Sequence, residues 1–141
     1  MNLLLYVLFE ILKVMIPLFP LRFIQFAAGL KGKAFYYILP IRKQTALSNL
    51  KLAFPDKSDK ELNEIVKGCY VNVLTVIAEF FYLRKFSIKG LHKLLKIKNI
   101  ELITEKLNSG KGLILISAHF GNWELTAYGV SKMLSIPFNV I

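Results

Sequence analysis

The chain has 141 residues, enough for one modest domain. It is 55% hydrophobic, which is high for a soluble domain of this size, and it carries nineteen basic against nine acidic residues, a formal net charge of +10. That balance asks for an acidic partner: anionic lipid or an acidic carrier protein. Nucleic acid is set aside, because aromatic residues do not interleave with the basic ones and no nucleic-acid motif is present. The single cysteine, Cys69, excludes an internal disulfide framework.

Met1 to Leu21 is almost wholly apolar, broken by Glu10 and Lys13, which are spaced to pair on a helix. The run is about the length of a membrane span. It lacks the basic n-region and small-residue cleavage site of a secretory signal. Three readings stay open: a spanning helix, an interfacial helix and a buried core helix. Arg22, Lys31 and Lys33 follow, which places the remainder in the cytoplasm by the positive-inside tendency.

Leu21 to Leu39 is a second apolar helix, with Gly29 and Gly32 as possible break points and Pro40 as its end. Arg42 to Phe54 reads as a short amphipathic helix, and Pro55-Asp56-Lys57 as a turn. Ser58 and Glu61 have capping-box spacing. They open the clearest helix of the chain, with apolar residues recurring from Leu62 to Phe81. That stripe predicts core packing and places Cys69 among buried residues. Glu79 lies beside it, either solvated or paired with Arg84.

From Ser87 the pattern changes. Leu94 to Lys98 alternates like a strand. Asn99 is placed to cap a helix through Leu107, closed by Asn108-Ser109-Gly110. Gly112 to Ser117 reads as a buried strand, Asn122 to Met133 as a helix, and Ile136 to Ile141 as a further strand start. Alternating strands and helices predict an α/β fold: a mostly parallel sheet with crossover helices, after a membrane-associated helix and a helical cap. The expected organisation is an anchor over residues 1–21, a helical region over 22–86 and the start of an α/β core over 87–141. The chain stops inside an apparent strand, which suggests a piece of a longer protein.

The chemistry concentrates at Ser117-Ala118-His119-Phe120-Gly121-Asn122-Trp123-Glu124. This stretch holds one of two histidines and the only tryptophan. On one ideal helix His119 and Glu124 would stand roughly 140° apart, so only a turn brings them together. Gly121 permits that turn, and Asn122 is a good N-cap for a helix starting at Trp123. A histidine beside a carboxylate is the usual base-and-orienter pair, though the same pair fits a structural role. No nucleophile-elbow serine or cysteine is present. The residues therefore favour direct attack by an acceptor hydroxyl on an activated acyl group. The helix N-terminus beside His119 offers N–H donors to an anionic group such as a phosphate. Zinc fits poorly, since only His92 and Cys69 could join and neither has suitable spacing.

The block His119-Phe120-Gly121-Asn122-Trp123-Glu124, after the apolar run Gly112 to Ala118, resembles the first catalytic block of the bacterial lipid A biosynthesis acyltransferases, the lauroyl and myristoyl transferases. These lie within the glycerolipid acyltransferase group marked by His-x4-Asp/Glu. Upstream, Arg42 with Ala46, Asn49-Leu50 and Ala53-Phe54-Pro55 resemble the family's Arg-x-x-x-Ala, Asn-Leu and Phe-Pro segment. Asn99-Ile100-Glu101, the Gly110-Lys111-Gly112 turn and the N-terminal hydrophobic run fit as well. The six-residue block is specific, and the other matches support it.

The resemblance implies that His119 is the general base on the acceptor hydroxyl and Glu124 its orienting partner. It implies that Gly121, Asn122 and Trp123 shape the substrate pocket, beside their plain readings as turn, N-cap and packing. It further implies acyl carrier protein as donor, a phosphorylated glycolipid as acceptor, no cofactor and no metal. The setting would be the cytoplasmic side of a bacterial inner membrane. Later family blocks that carry an assisting arginine and acyl-pocket residues have no counterpart before Ile141. The competing expectations are acylation of another membrane glycolipid or aminolipid, and a non-catalytic membrane-binding fragment.

Overall fold

The computed structural model describes residues 3–110, 112–137 and 139. Among the described residues seven α-helices follow one another: α1 Leu3–Met15, α2 Leu21–Ile38, α3 Lys43–Ala53, α4 Asp59–Tyr82, α5 Ile88–Leu94, α6 Ile100–Asn108 and α7 Trp123–Leu134. Short 3-10 turns, Ile16–Leu18 and Leu83–Lys85, follow α1 and α4. Contacts divide the chain into two compact units, Met1–Tyr82 and Leu83–Ile141.

Among the described residues there is no strand, so the expected α/β sheet is not formed and the fold is helical. Leu94 ends α5, and residues 95–97 continue without regular structure. Residues 112–118 form no ladder, and Ile114 and Ile116 are 84% and 96% exposed. Ile136 and Pro137 are irregular, and positions 138, 140 and 141 of that expected strand lie outside the described residues. The reason is physical. Apolar alternation supplies one face of a strand, whereas a sheet needs a neighbour to take its N–H and C=O groups. No described segment supplies that neighbour. At Leu94 the short run is ambiguous by period, since Leu91, Leu94 and Leu95 also recur at helical spacing.

The first unit is built on α2 against α4. On α2 the buried positions are Ile24, Ala28, Gly32 and Tyr36, four apart and so on one face. Opposite them α4 buries Leu62, Val66 and Val76. Full burial of Leu62 and Val66, each 1% exposed, contributes ~2 kcal/mol apiece. Gly32 sets the approach: a Cβ there would lie 2.5 Å from the Val71 Cα and 2.9 Å from the Tyr70 carbonyl oxygen. The helix is continuous through Gly29 and Gly32, the two break points that the sequence offered. Gly32 serves close packing.

Polar side chains tie the same pair. Gln25 Nε2 donates to Glu79 Oε1 at 2.6 Å, and Tyr36 donates its hydroxyl to Asn63 Oδ1 at 2.6 Å. Glu79 thus has a partner across the helix pair, which the sequence did not indicate. Tyr70 donates to the Ile41 carbonyl at 2.5 Å, and Lys43 Nζ stands 3.9 Å from the Tyr36 ring centroid. These contacts hold the turn that follows Pro40. Ser58 and Glu61 form the expected capping box: the Ser58 N–H donates to Glu61 at 2.9 Å and the Glu61 N–H to Ser58 Oγ at 3.3 Å. The Ser58 hydroxyl, which donates to the same carboxylate, does most to hold the Glu61 carboxyl below its usual range.

Much of the apolar surface stays outside this core. The α4 stripe is only partly buried: Val73, Ile77 and Phe80 are exposed, and so is Cys69, which was expected inside. The stripe is wider than the face that α2 covers. No residue of α1 is buried, although Phe9 meets Phe81 at 5.3 Å between ring centroids. Glu10 and Lys13 form the expected ion pair at 2.5 Å. Among the described residues, the stretch Asp59–Lys85 is long and apolar enough to cross a membrane by length and composition.

In the second unit, α5 packs on α7. Ser87 caps α5 by accepting from the Gly90 N–H at 3.1 Å, and Leu91 is fully buried. Gly129 and Val130 are the buried residues of α7, and the Leu95 side chain lies where a Gly129 Cβ would be. α6 begins after Asn99 as expected, but Asn99 sits in the left-handed region at φ 54° and its side chain makes no cap.

Two glycines on one helix predict opposite outcomes. Gly32→Ala will destabilise the first unit by ~1–3 kcal/mol, because backbone cannot move aside as a side chain can. Gly29→Ala meets only the Val71 Cγ1 at 3.8 Å and will be neutral or stabilising by up to ~1 kcal/mol. Urea unfolding followed by circular dichroism checks both. Equal effects would sink the close-approach account.

Candidate functional site

The site residues are positioned by a turn and a helix start. Gly121 has φ +58°, a conformation that an L side chain rarely adopts. Asn122 follows as N-cap of α7, its Oδ1 accepting from the Leu125 N–H at 2.8 Å. Its carbonyl accepts from the Thr126 N–H at 3.2 Å and the Thr126 hydroxyl at 3.1 Å. Trp123 and Glu124 are therefore the first helical residues, and His119 stands in the loop before them.

The chain turn brings His119 to Trp123. Their rings lie 4.7 Å apart between centroids, tilted by 54°. Trp123 Nε1–H in turn donates to Glu124 Oε1 at 3.2 Å. Among the described residues no hydrogen bond or ion pair joins His119 to Glu124. Both instead contact the indole, the imidazole by its ring and the carboxylate by accepting from Nε1–H. Sequence reasoning gave Trp123 a pocket-lining part and missed this linking one. The only signal for it was the placement of a tryptophan directly before the carboxylate.

The surface state of these groups bears on their chemistry. Residues 117–121 are exposed, and Phe120 is 88% exposed, whereas Asn122, Trp123 and Glu124 are half-buried. The exposed imidazole, tilted against the Trp123 ring, is open to solvent. The α7 N-terminus beside it supplies N–H donors suited to a developing or resident negative charge. The second histidine, His92, belongs to α5, and among the described residues no three of His, Cys, Asp and Glu gather as a metal site.

A family model described as bacterial lipid A biosynthesis acyltransferase matches residues 2–133, a span that contains the whole corner from Ser117 to Glu124. No curated protein and no solved structure matches the chain.

The local geometry predicts a graded response at the helix start. Asn122→Ala will cost ~1 kcal/mol of helix-start stability, whereas Asn122→Asp will keep the cap. Amide exchange at Leu125 reads this directly, with about five-fold faster exchange expected for the alanine variant. An unchanged rate would show that the cap does not hold the turn.

Proposed function

Because the chain belongs to the bacterial lipid A biosynthesis acyltransferase family, we propose that it moves a fatty acyl chain onto a hydroxyl of a lipid A precursor in lipopolysaccharide biosynthesis. Acyl transfer itself follows from the family. Acyl carrier protein as donor and a phosphorylated glycolipid as acceptor are what the resemblance implies, and we adopt them in this proposal. The observation that carries it is the match over residues 2–133 with His119 set in the loop ahead of a capped helix.

In this reading His119 takes the proton from the acceptor hydroxyl as its oxygen attacks the thioester carbonyl. The carrier's thiolate leaves and receives that proton from the imidazolium. One ester forms and one thioester breaks, with no cofactor or metal required. Glu124 holds the Trp123 indole, and the indole backs the imidazole, so the carboxylate orients the base at one remove. Asn122 and Gly121 fix the turn, and the N-terminus of α7 faces the charge on substrate. The net charge of +10 suits an acidic carrier protein and the phosphates of a glycolipid.

The apolar residues 1–21 serve as the anchor in this proposal, with the catalytic part on the cytoplasmic side of the inner membrane. Arg22, Lys31 and Lys33 after that run support the orientation.

His119→Ala in the membrane-bound enzyme will lower acyl transfer ~100-fold or more, the usual contribution of a general base. Glu124→Gln will lower kcat more than it raises the acceptor KM. Transfer that survives His119→Ala within a few-fold would sink the base role. Acyl transfer to a different glycolipid or an aminolipid, with none to the lipid A precursor, would move the acceptor and leave the site standing.

A further inference from the structure

We infer that α2, beyond the apolar run that precedes it, is itself a membrane-contacting element: its outward face, Phe23, Phe26 and Leu30, lies in the interface of an anionic lipid bilayer. The inference rests on packing and charge and does not depend on the acyl-transfer chemistry.

The helix has two apolar faces, and only one is used inside the protein. At about 100° per residue, Phe23, Phe26 and Leu30 fall within an arc of roughly 60°. The buried set Ile24, Ala28, Gly32 and Tyr36 lies on the opposite side, against α4. The outward three are 53%, 65% and 51% exposed. Farther along, Tyr37 meets Lys67 of α4, whose Nζ stands 5.8 Å from its ring centroid. A stripe of two phenylalanines and a leucine over about two turns marks an interaction surface. It continues at its N-terminal end into Phe19, whose ring lies 5.4 Å from Phe23.

Charge selects the occupant. From residue 11 to residue 55 the chain has seven basic residues and no acidic one. Arg22, Lys31 and Lys33 of α2 are exposed and flank the stripe. Among the described residues none of the three is held in an ion pair. An aromatic and aliphatic face bordered by uncommitted cations is the pattern of a helix lying in a headgroup region. The same three charges oppose burial of α2 at the bilayer centre and favour the interface.

The test uses the full chain with Cys69→Ser and one cysteine placed by Phe26→Cys, Leu30→Cys or Lys60→Cys, each labelled with an environment-sensitive fluorophore. Vesicles of phosphatidylethanolamine and phosphatidylglycerol carry nitroxide quenchers either just below the headgroup or near the chain end. Labels at 26 and 30 are expected to shift to the blue on binding and to be quenched more by the shallow nitroxide. The label at 60 is expected to stay in water. Lys33→Gln should lower the fraction bound to these vesicles about five-fold. Labels at 26 and 30 that remain in water on bound protein would overturn the inference. So would labels already blue-shifted without vesicles, which would mean that protein covers the stripe. Stronger quenching by the deep nitroxide would replace an interfacial helix with a spanning one. Equal binding to phosphatidylcholine vesicles, or to Lys33→Gln, would remove the anionic lipid as occupant.

Discussion

Each unit of this protein turns on a glycine that lets something come closer than a side chain would allow. In the first unit the Val71 backbone lies where a Gly32 Cβ would be; in the second the Leu95 side chain lies where a Gly129 Cβ would be. With no strand among the described residues, helices satisfy most backbone groups internally, and the core depends on how closely elements can meet. Closeness at Gly32 lets Ile24 and Tyr36 reach α4 and brings Gln25 to Glu79 and Tyr36 to Asn63. The two hydrogen bonds then fix which face of each helix looks inward, since burying those groups unpaired would be costly.

The same constraint decides what remains outside. Fixing the Ile24, Ala28, Gly32 and Tyr36 face of α2 against α4 leaves Phe23, Phe26 and Leu30 exposed on the other side. Tyr37, farther along that side, still reaches Lys67 of α4. Which apolar residues stay outside is thus set by which face the close approach at Gly32 turns inward.

At the functional corner, turn chemistry was legible because it is local. A glycine and an N-capping asparagine before a tryptophan and a glutamate specify a helix start without reference to the rest of the chain, and Gly121 and Asn122 take those roles. The capping box at Ser58 and the Glu10–Lys13 pair were readable for the same reason: their partners are three residues apart. The link from His119 through Trp123 to Glu124 was not legible. It depends on ring placement, which spacing does not give.

The sequence by itself determined the helices up to residue 85, the capping box at Ser58, the basic and apolar character, and the family. All of these follow from neighbours within a turn or two, or from composition and motif. Tertiary structure decided which apolar residues are core. Leu62 and Val66 are buried, while Cys69, Val73 and Phe80 of the same stripe are not, because burial needs a partner from elsewhere in the chain. It also decided against a sheet. The apolar stretch from Leu113 to Ile116 has the pattern of a strand, but a ladder is a property of two segments, and no described segment lies beside this one.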